Sequence, residues 1–528
     1  MGLASCCTRE VEDGTQQRLL SLHERFAYIT IIARQAHVIT YLYRYPLDEL
    51  PTTEYLHSAV NRAQRDVHHL WAEVVDGETP RPAIRLRPEG PWPPAEVVRD
   101  NTYAAQLGER EEAKGELVES RLLESEIRRM QSRVGEGGPA WQVTRYLPIS
   151  GQAGLHSGME PRDCKSGAEA GNPFIRSIDP GAISSYVAIS FFHHIIDGSA
   201  GLKLSLSVFS GTPLIPAYGL APRMEDLVRL SPSLPYLAKE AYRELVAPAL
   251  PSLLRARLSG AQCWPGEGVK GNPSTFPEAQ ETIHLPTSWV AAVKRVGKAR
   301  GVSTVHPILE AAFVFAMRDV LGTSMPIDVS TPVNDRDSSN PGCPQTASVM
   351  VSALHKVYPP LPSPPASGST DKASLVSDLP AFWATAQGTA KHHASRSARK
   401  ESRYHIGVLA LVPNPKSFSS PHTDDPLRRT KTGWEDFFWS TLERPAPYRD
   451  SLVISNLGRI ERLPPGCGGM RWTQSAAPFI SPLCLQIVGH EAGLEVCASF
   501  REGCAVSREE VRRILGRFEG IVADLIKN

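Results

Sequence analysis

The 528-residue chain lacks an excess of charge of either sign: 57 Lys and Arg face 56 Asp and Glu, a formal net charge of +1. Nucleic-acid binding draws on a basic footprint that releases counterions, and neither a dense Lys/Arg stripe nor a zinc-finger spacing is present. No apolar run reaches membrane-spanning length, and no charged start followed by an apolar core marks a secretory signal. A cytoplasmic protein with no transmembrane segment and no nucleic-acid partner is therefore expected. C-x-x-C pairs are also missing. The nine cysteines, an odd number spread from Cys6 to Cys504, exclude a disulfide framework and predict reduced thiols. A G-x-S-x-G nucleophile elbow is absent, which removes the usual serine-hydrolase route. The start Gly2 to Cys7 has Cys6 where a myristoylation signal wants Ser or Thr. It predicts an unmodified, flexible tail over residues 1–17.

What is present is concentrated near residue 190. Among sixteen histidines, only His193 is followed four residues later by an aspartate, Asp197, with Gly198 next. A bare H-x-x-x-D arises by chance about once in a chain of this length, so its flanks decide its weight. Ile183 to Phe192 mixes β-branched, aromatic and apolar residues at strand length, and Ser199 to Phe209 reads as a short amphipathic helix. His193 thus falls at a strand end, where a side chain can be held rigidly and still reach a cleft. Gly198 is expected to permit a sharp turn. Metal ligation is not expected: adjacent His193 and His194 point to opposite faces of an extended chain, and no His or Cys cluster lies nearby at ligand spacing.

Along the chain, Ala27 to Tyr43 reads as a first strand region, Leu56 to Val75 as an amphipathic helix, and Glu109 to Arg133 as a solvated helix. Gly151 to Asn172 is a Gly- and Ser-rich loop. Prolines recur from Ser210 to Pro277 around a helix near Leu237 to Val246. Ser288 to Val320 reads as two helices broken near Gly301, and Ile327 to Val333 as a strand. Tyr358 to Ser369 is a Pro/Ser loop, Leu379 to Lys400 a helix, and Pro413 to Asp450 an irregular insertion. Leu452 to Ser455, Leu483 to Val488 and Leu494 to Phe500 are strands, closed by a helix from Ser507, its N-cap, to Ile526. Gly266 to Gly271 fits G-x-G-x-x-G, but Pro265 precedes it and Pro273 follows, so no strand or helix frames it.

These motifs, in this order, resemble the H-x-x-x-D acyltransferases, most closely the fungal alcohol O-acetyltransferase group related to peptide-synthetase condensation domains and plant BAHD enzymes. The resemblance rests on Phe192-His193 through Gly198, Leu22-His23-Glu24-Arg25, Pro139-Ala140-Trp141, the helix after Gly301, and Val333-Asn334-Asp335-Arg336. It continues with Trp383, Ser455-Asn456-Leu457-Gly458, and Gln474-Ser475. It implies an α/β fold of two chloramphenicol-acetyltransferase-like domains, each a mixed sheet flanked by helices, with an active-site tunnel between them. Their expected bounds are 18–225 and 281–528, joined by a crossover over 226–280.

The resemblance further implies that His193 is the general base for a small-molecule alcohol acceptor. Asp197 would pair with Arg336 to fix the motif loop, and Ser455 and Asn456 would line the tunnel as polar groups, candidates for the oxyanion donor. No cofactor is permanently bound; acetyl-CoA or another acyl-CoA is the cosubstrate, and the protein acts as a monomer. A carrier-protein-bound acyl donor is the alternative. Two departures stand out: Phe192 occupies the place where many relatives carry a first His, and no D-F-G-W-G segment of the plant type is present.

Overall fold

The computed structural model describes residues 9–10, 16–104, 117–149, 184–211, 214, 216–246, 262–337, 347–360, 379–413 and 432–527. The expected loop at Gly151 to Asn172 and the possible lipidation start fall outside them.

The first helix forms where a strand was expected. Ser21 accepts the Glu24 N–H at 3.1 Å, and Glu24 accepts the Ser21 N–H at 2.7 Å. This reciprocal cap satisfies two orphan donors and starts helix α1, Leu22–Ile32, despite its β-branched residues. Only the end of the apolar run extends, as strand β1, Val38–Pro46. The segment expected as one helix to Val75 also divides, into α2, Thr53–Asp66, a short 3-10 turn, and a strand at Ala72–Val75. That strand pairs in a small sheet with Ala83–Leu86, which also pairs with Gln16–Leu19.

The first main sheet contains β1, β2 (Val98–Tyr103), β3 (Trp141–Pro148) and β4 (Ser184–Phe192). Helix α3, Val118–Ser132, precedes β3, and α4, Gly198–Ser210, follows β4. The second sheet is built from β5 (Glu278–Pro286), β6 (Ile327–Asn334), β7 (Val351–Tyr358) and β8 (Leu452–Arg459). Helices α5 (Thr287–Ala299) and α6 (His306–Leu321) lie between β5 and β6. The helix expected through Lys400 breaks, because Ser395 caps a new one: α7 is Leu379–His393 and α8 Arg396–Val408. Helix α9, Gly433–Leu442, forms inside the segment expected to be irregular, started by a Thr432/Glu435 capping box.

One strand changes partners. Strand β9, Gly469–Gln474, belongs to the second half of the sequence but pairs antiparallel with β1 at the edge of the first sheet, giving the order β9-β1-β4-β3-β2. Its Met470 and Trp472 are buried in the core of the first half. A boundary at 281 therefore divides the sequence and not the sheets. Strands β10 (Leu483–His490) and β11 (Gly493–Arg501) return to the second sheet, ordered β7-β6-β8-β10-β11-β5. The closing helix α10, Arg508–Lys527, begins with Ser507 accepting the Glu510 N–H at 3.2 Å. It packs on α6, where Phe313 and Phe518 stack with ring centres 3.8 Å apart.

Both sheets are mixed and flanked by helices: β2 runs parallel to β3, and β6, β8 and β10 run parallel to one another. The described cysteines Cys263, Cys467, Cys484, Cys497 and Cys504 are free thiols. Among the described residues no helix is long and apolar enough to cross a membrane.

Candidate active site

His193 follows the last residue of β4, and the register explains where its ring goes. Val38 stands opposite Phe192 across the β1–β4 pair, so the next residues, His37 and His193, meet at the sheet end. The His193 N–H donates to the His37 carbonyl at 2.8 Å. The His37 ring lies 4.6 Å from the His193 ring, and His23 of α1 stacks with it at 6.0 Å. All three histidines line one cavity of about 400 Å³. Nδ1 of His193 is buried without a hydrogen-bond partner, while the ring lines the cavity. Nε2 is therefore the nitrogen directed at the cavity.

Burial lowers the His193 pKa below the ordinary histidine value, with Asp197 only partly opposing it. His23 is held at about 4 by burial and the neighbouring His193, and burial keeps His37 well below its usual value. Three neutral imidazoles at pH 7 follow. His194 does not line the cavity: it turns inward, edge-on to Tyr28 at 5.4 Å, and burial lowers its pKa to about 3.

Both carboxylate oxygens of Asp197 are taken up by partners other than His193. Its Oδ1 accepts the Ala200 N–H at 3.0 Å, capping α4, while Oδ2 accepts from Arg336 Nη1 at 2.6 Å and from the Met350 N–H at 2.8 Å. Burial would raise its pKa, but Arg336 and the two N–H donors outweigh it and hold the carboxyl below its usual range. Arg336, with a side chain only 2% exposed, also donates to the Ser348 carbonyl at 2.8 Å. Ser348 has φ of +72°, a left-handed conformation costing about 1–3 kcal/mol unless its surroundings fix it. The pair thus ties the motif loop of the first half to the end of β6 and to the 347–350 segment.

Gly198 does not serve the turn expected of it, since its φ is not positive. Its requirement is space: an added Cβ would lie 3.2 Å from Leu457 Cδ2 and 3.3 Å from Trp472 Cζ3, both contributed by the second half. The motif glycine permits the start of α4 to approach that half closely.

Ser455 and Asn456, on β8, line the same cavity as His193. Ser455 is buried and faces that cavity alone. Asn456 is shared with a second cavity of about 810 Å³, which it meets together with Pro332, Val333 and Gly458. There its Nδ2 approaches His306 Nδ1 at 3.2 Å, while Oδ1 accepts the Gly458 N–H at 2.8 Å. His37 carries no signature in the sequence, and the Leu22-His23-Glu24-Arg25 opening does not place His23 at the site; the helix start and the strand register bring both rings to His193.

No family model matches the chain, and no match was found among curated proteins. Solved structures do match along nearly its whole length. A trichothecene 15-O-acetyltransferase from Fusarium sporotrichioides is 12% identical, aligned over 98% of this chain and 97% of its own, with a TM-score of 0.60. The condensation domain of the monacolin K polyketide synthase is 11% identical over 97% and 98%, with a TM-score of 0.56. The epimerization domain from the third module of tyrocidine synthetase B is 13% identical over 98% of each chain, with a TM-score of 0.53. At these identities the likeness concerns the fold: the two-domain, chloramphenicol-acetyltransferase-like α/β architecture.

Asp197→Asn retains an acceptor for the Ala200 N–H but leaves Arg336 buried and uncompensated. A loss on the order of 3–5 kcal/mol is expected, read as a lower urea midpoint at unchanged m-value. A loss below about 1 kcal/mol would show that the pair does not hold the loop.

Proposed function

We propose that this protein is an acyl-CoA-dependent O-acyltransferase, of the fungal alcohol O-acetyltransferase kind, that transfers an acyl group to a hydroxyl of a small molecule. Acetyl is the acyl group and a secondary metabolite the acceptor class in view. The observation that carries this reading is a neutral imidazole, His193, whose Nδ1 is buried while its ring lines a cavity between two lobes. The fold it shares with an O-acetyltransferase and with condensation domains is consistent with that chemistry.

In the proposed reaction, His193 Nε2 takes the proton of the acceptor hydroxyl as its oxygen attacks the thioester carbonyl. A C–O bond forms, and the carbonyl electron pair moves onto oxygen. The Ser455 hydroxyl is the donor assigned to that oxyanion, because Asn456 is already engaged with His306 and Gly458. When the intermediate collapses, the C–S bond breaks and the imidazolium returns its proton to the departing thiolate. General-base assistance of this kind is typically worth about 10²- to 10⁴-fold. Asp197 touches no reacting atom and acts by position.

The cavities divide the substrates. The one beside His193 has apolar walls from Phe26, Val351, Ala353, Ile406, Leu409 and Ile480, suited to the acceptor. The larger one carries Lys294, Arg399 and Arg459, suited to the several phosphates of CoA. A carrier-bound donor brings one phosphate, which makes less use of three cationic side chains.

His193→Ala is expected to lower acceptor-dependent thiol release from acetyl-CoA by about 10²-fold or more, with an unchanged unfolding midpoint. A parental rate would exclude the mechanism. Since the neutral ring is the active form and burial lowers its pKa, kcat/KM should be flat at pH 7 and fall on acidification with a midpoint below the ordinary histidine value of 6.5. An acid limb centred above 7 would contradict this. Acetyl-pantetheine, lacking all the phosphates, should show a much lower kcat/KM than acetyl-CoA; equal values would remove CoA phosphate recognition from the account.

A further inference from the structure

A second group of side chains stands at the larger cavity and takes no part in the proposed reaction. His306 and Glu310 lie one turn apart on α6, and His393 is the last residue of α7. Glu310 is fully buried, and among the described residues its ion-pair partners are these two histidines, with no Lys or Arg. Both histidine Nε2 atoms are 3.3 Å from the same carboxylate oxygen, Oε2.

That spacing is longer than the usual 2.7–3.2 Å of an N–H···O bond, and Nε2 of His306 is buried without a hydrogen-bond partner. It matches the edge of a tetrahedron instead: two ligands about 2.0–2.1 Å from one Zn²⁺ stand roughly 3.3–3.4 Å apart. The other carboxylate oxygen is held by the Tyr358 hydroxyl, and Thr331 donates to Oε2 at 3.2 Å. Such contacts orient a ligating carboxylate.

We propose that His306, Glu310 and His393 form a zinc site with three protein ligands, whose fourth position, facing the larger cavity, takes a water molecule. The proposal does not rest on the acyltransferase reading. A dication there neutralises a carboxylate otherwise buried in an apolar helix. The other group with ligand geometry, Asp328, His355 and Asp450, differs on this point, because Arg449 already pairs with Asp450 at 2.8 Å.

The neighbour of His306 sharpens the inference. Zinc on Nε2 requires the proton to reside on Nδ1, which Asn456 now faces with its amide nitrogen. Binding would turn that amide over and withdraw its oxygen from the Gly458 N–H. A carboxylate at 456 could serve both groups, one oxygen accepting from Nδ1–H of His306 and the other from Gly458.

The test uses the full chain, stripped with a chelator, dialysed against ZnCl₂ and assayed for metal content. One zinc per chain is expected. His393→Ala, which truncates a partly exposed side chain, and Glu310→Gln should lose it, whereas His355→Ala should keep it. Co²⁺ in its place should give the strong visible absorption of a four-coordinate ion. Asn456→Asp should tighten zinc binding by about 10-fold, the scale of a histidine's supporting carboxylate, measured by competition with a chromogenic chelator. Zinc retained in full by His393→Ala, lost in His355→Ala, or absent from the parent protein would overturn the proposal. Unchanged or weaker binding by Asn456→Asp would contradict zinc on Nε2.

Discussion

Two charges, Asp197 and Arg336, are taken out of water together where the two halves of the chain meet, and the rest of the site depends on their doing so. Removing such groups from solvent costs several kcal/mol each, offset only when geometry is good and the remaining donors and acceptors are satisfied. Here they are: the carboxylate receives Arg336, Met350 and Ala200, and the guanidinium also reaches backbone carbonyls near Ser348. The same aspartate caps α4, so the pair fixes the helix following the motif and the segment facing it. His193, four residues earlier, inherits that position without touching Arg336.

The second half reaches into the first in another way. Strand β9 supplies an edge to the first sheet and places Trp472 against Tyr41 and the start of α4. Gly198 leaves room at that contact, where an added Cβ would press on Leu457 and Trp472. The cavity beside His193 is therefore built from both halves: the second contributes residues of β6, β7, β8 and β9, and the first contributes α1, His37, His193 and the start of α4. Burial there keeps the histidine rings neutral, and a base has to be neutral to accept a proton. The packing that closes the site thus also prepares its charge state.

The histidine motif was legible because its parts are contiguous: a β-rich run, a strand end, H-x-x-x-D-G, then a helix. The α/β class followed from strands and helices in both halves. Arg336 came only through the resemblance to a family, since no local pattern links residues 197 and 336. Other features depend on contacts that a linear reading does not contain. Ala27 to Tyr43 looked extended because its β-branched residues outweighed a cap whose effect is reciprocal and local. Gly198 looked like a turn residue, although its constraint comes from side chains in two distant strands. His23, His37 and the trio His306, Glu310 and His393 become neighbours only after sheets and helices pack.

The central claim is that His193 presents a neutral Nε2 lone pair to the cavity. Selective ¹⁵N labelling of histidine, with His193 assigned by its substitution, measures this directly through the ring nitrogen shifts across pH. The account requires the Nδ1–H tautomer at pH 7 and a protonation midpoint below 6.5, the ordinary histidine value. A His193 ring protonated on Nε2 at pH 7, whether as the other tautomer or as imidazolium, would contradict it.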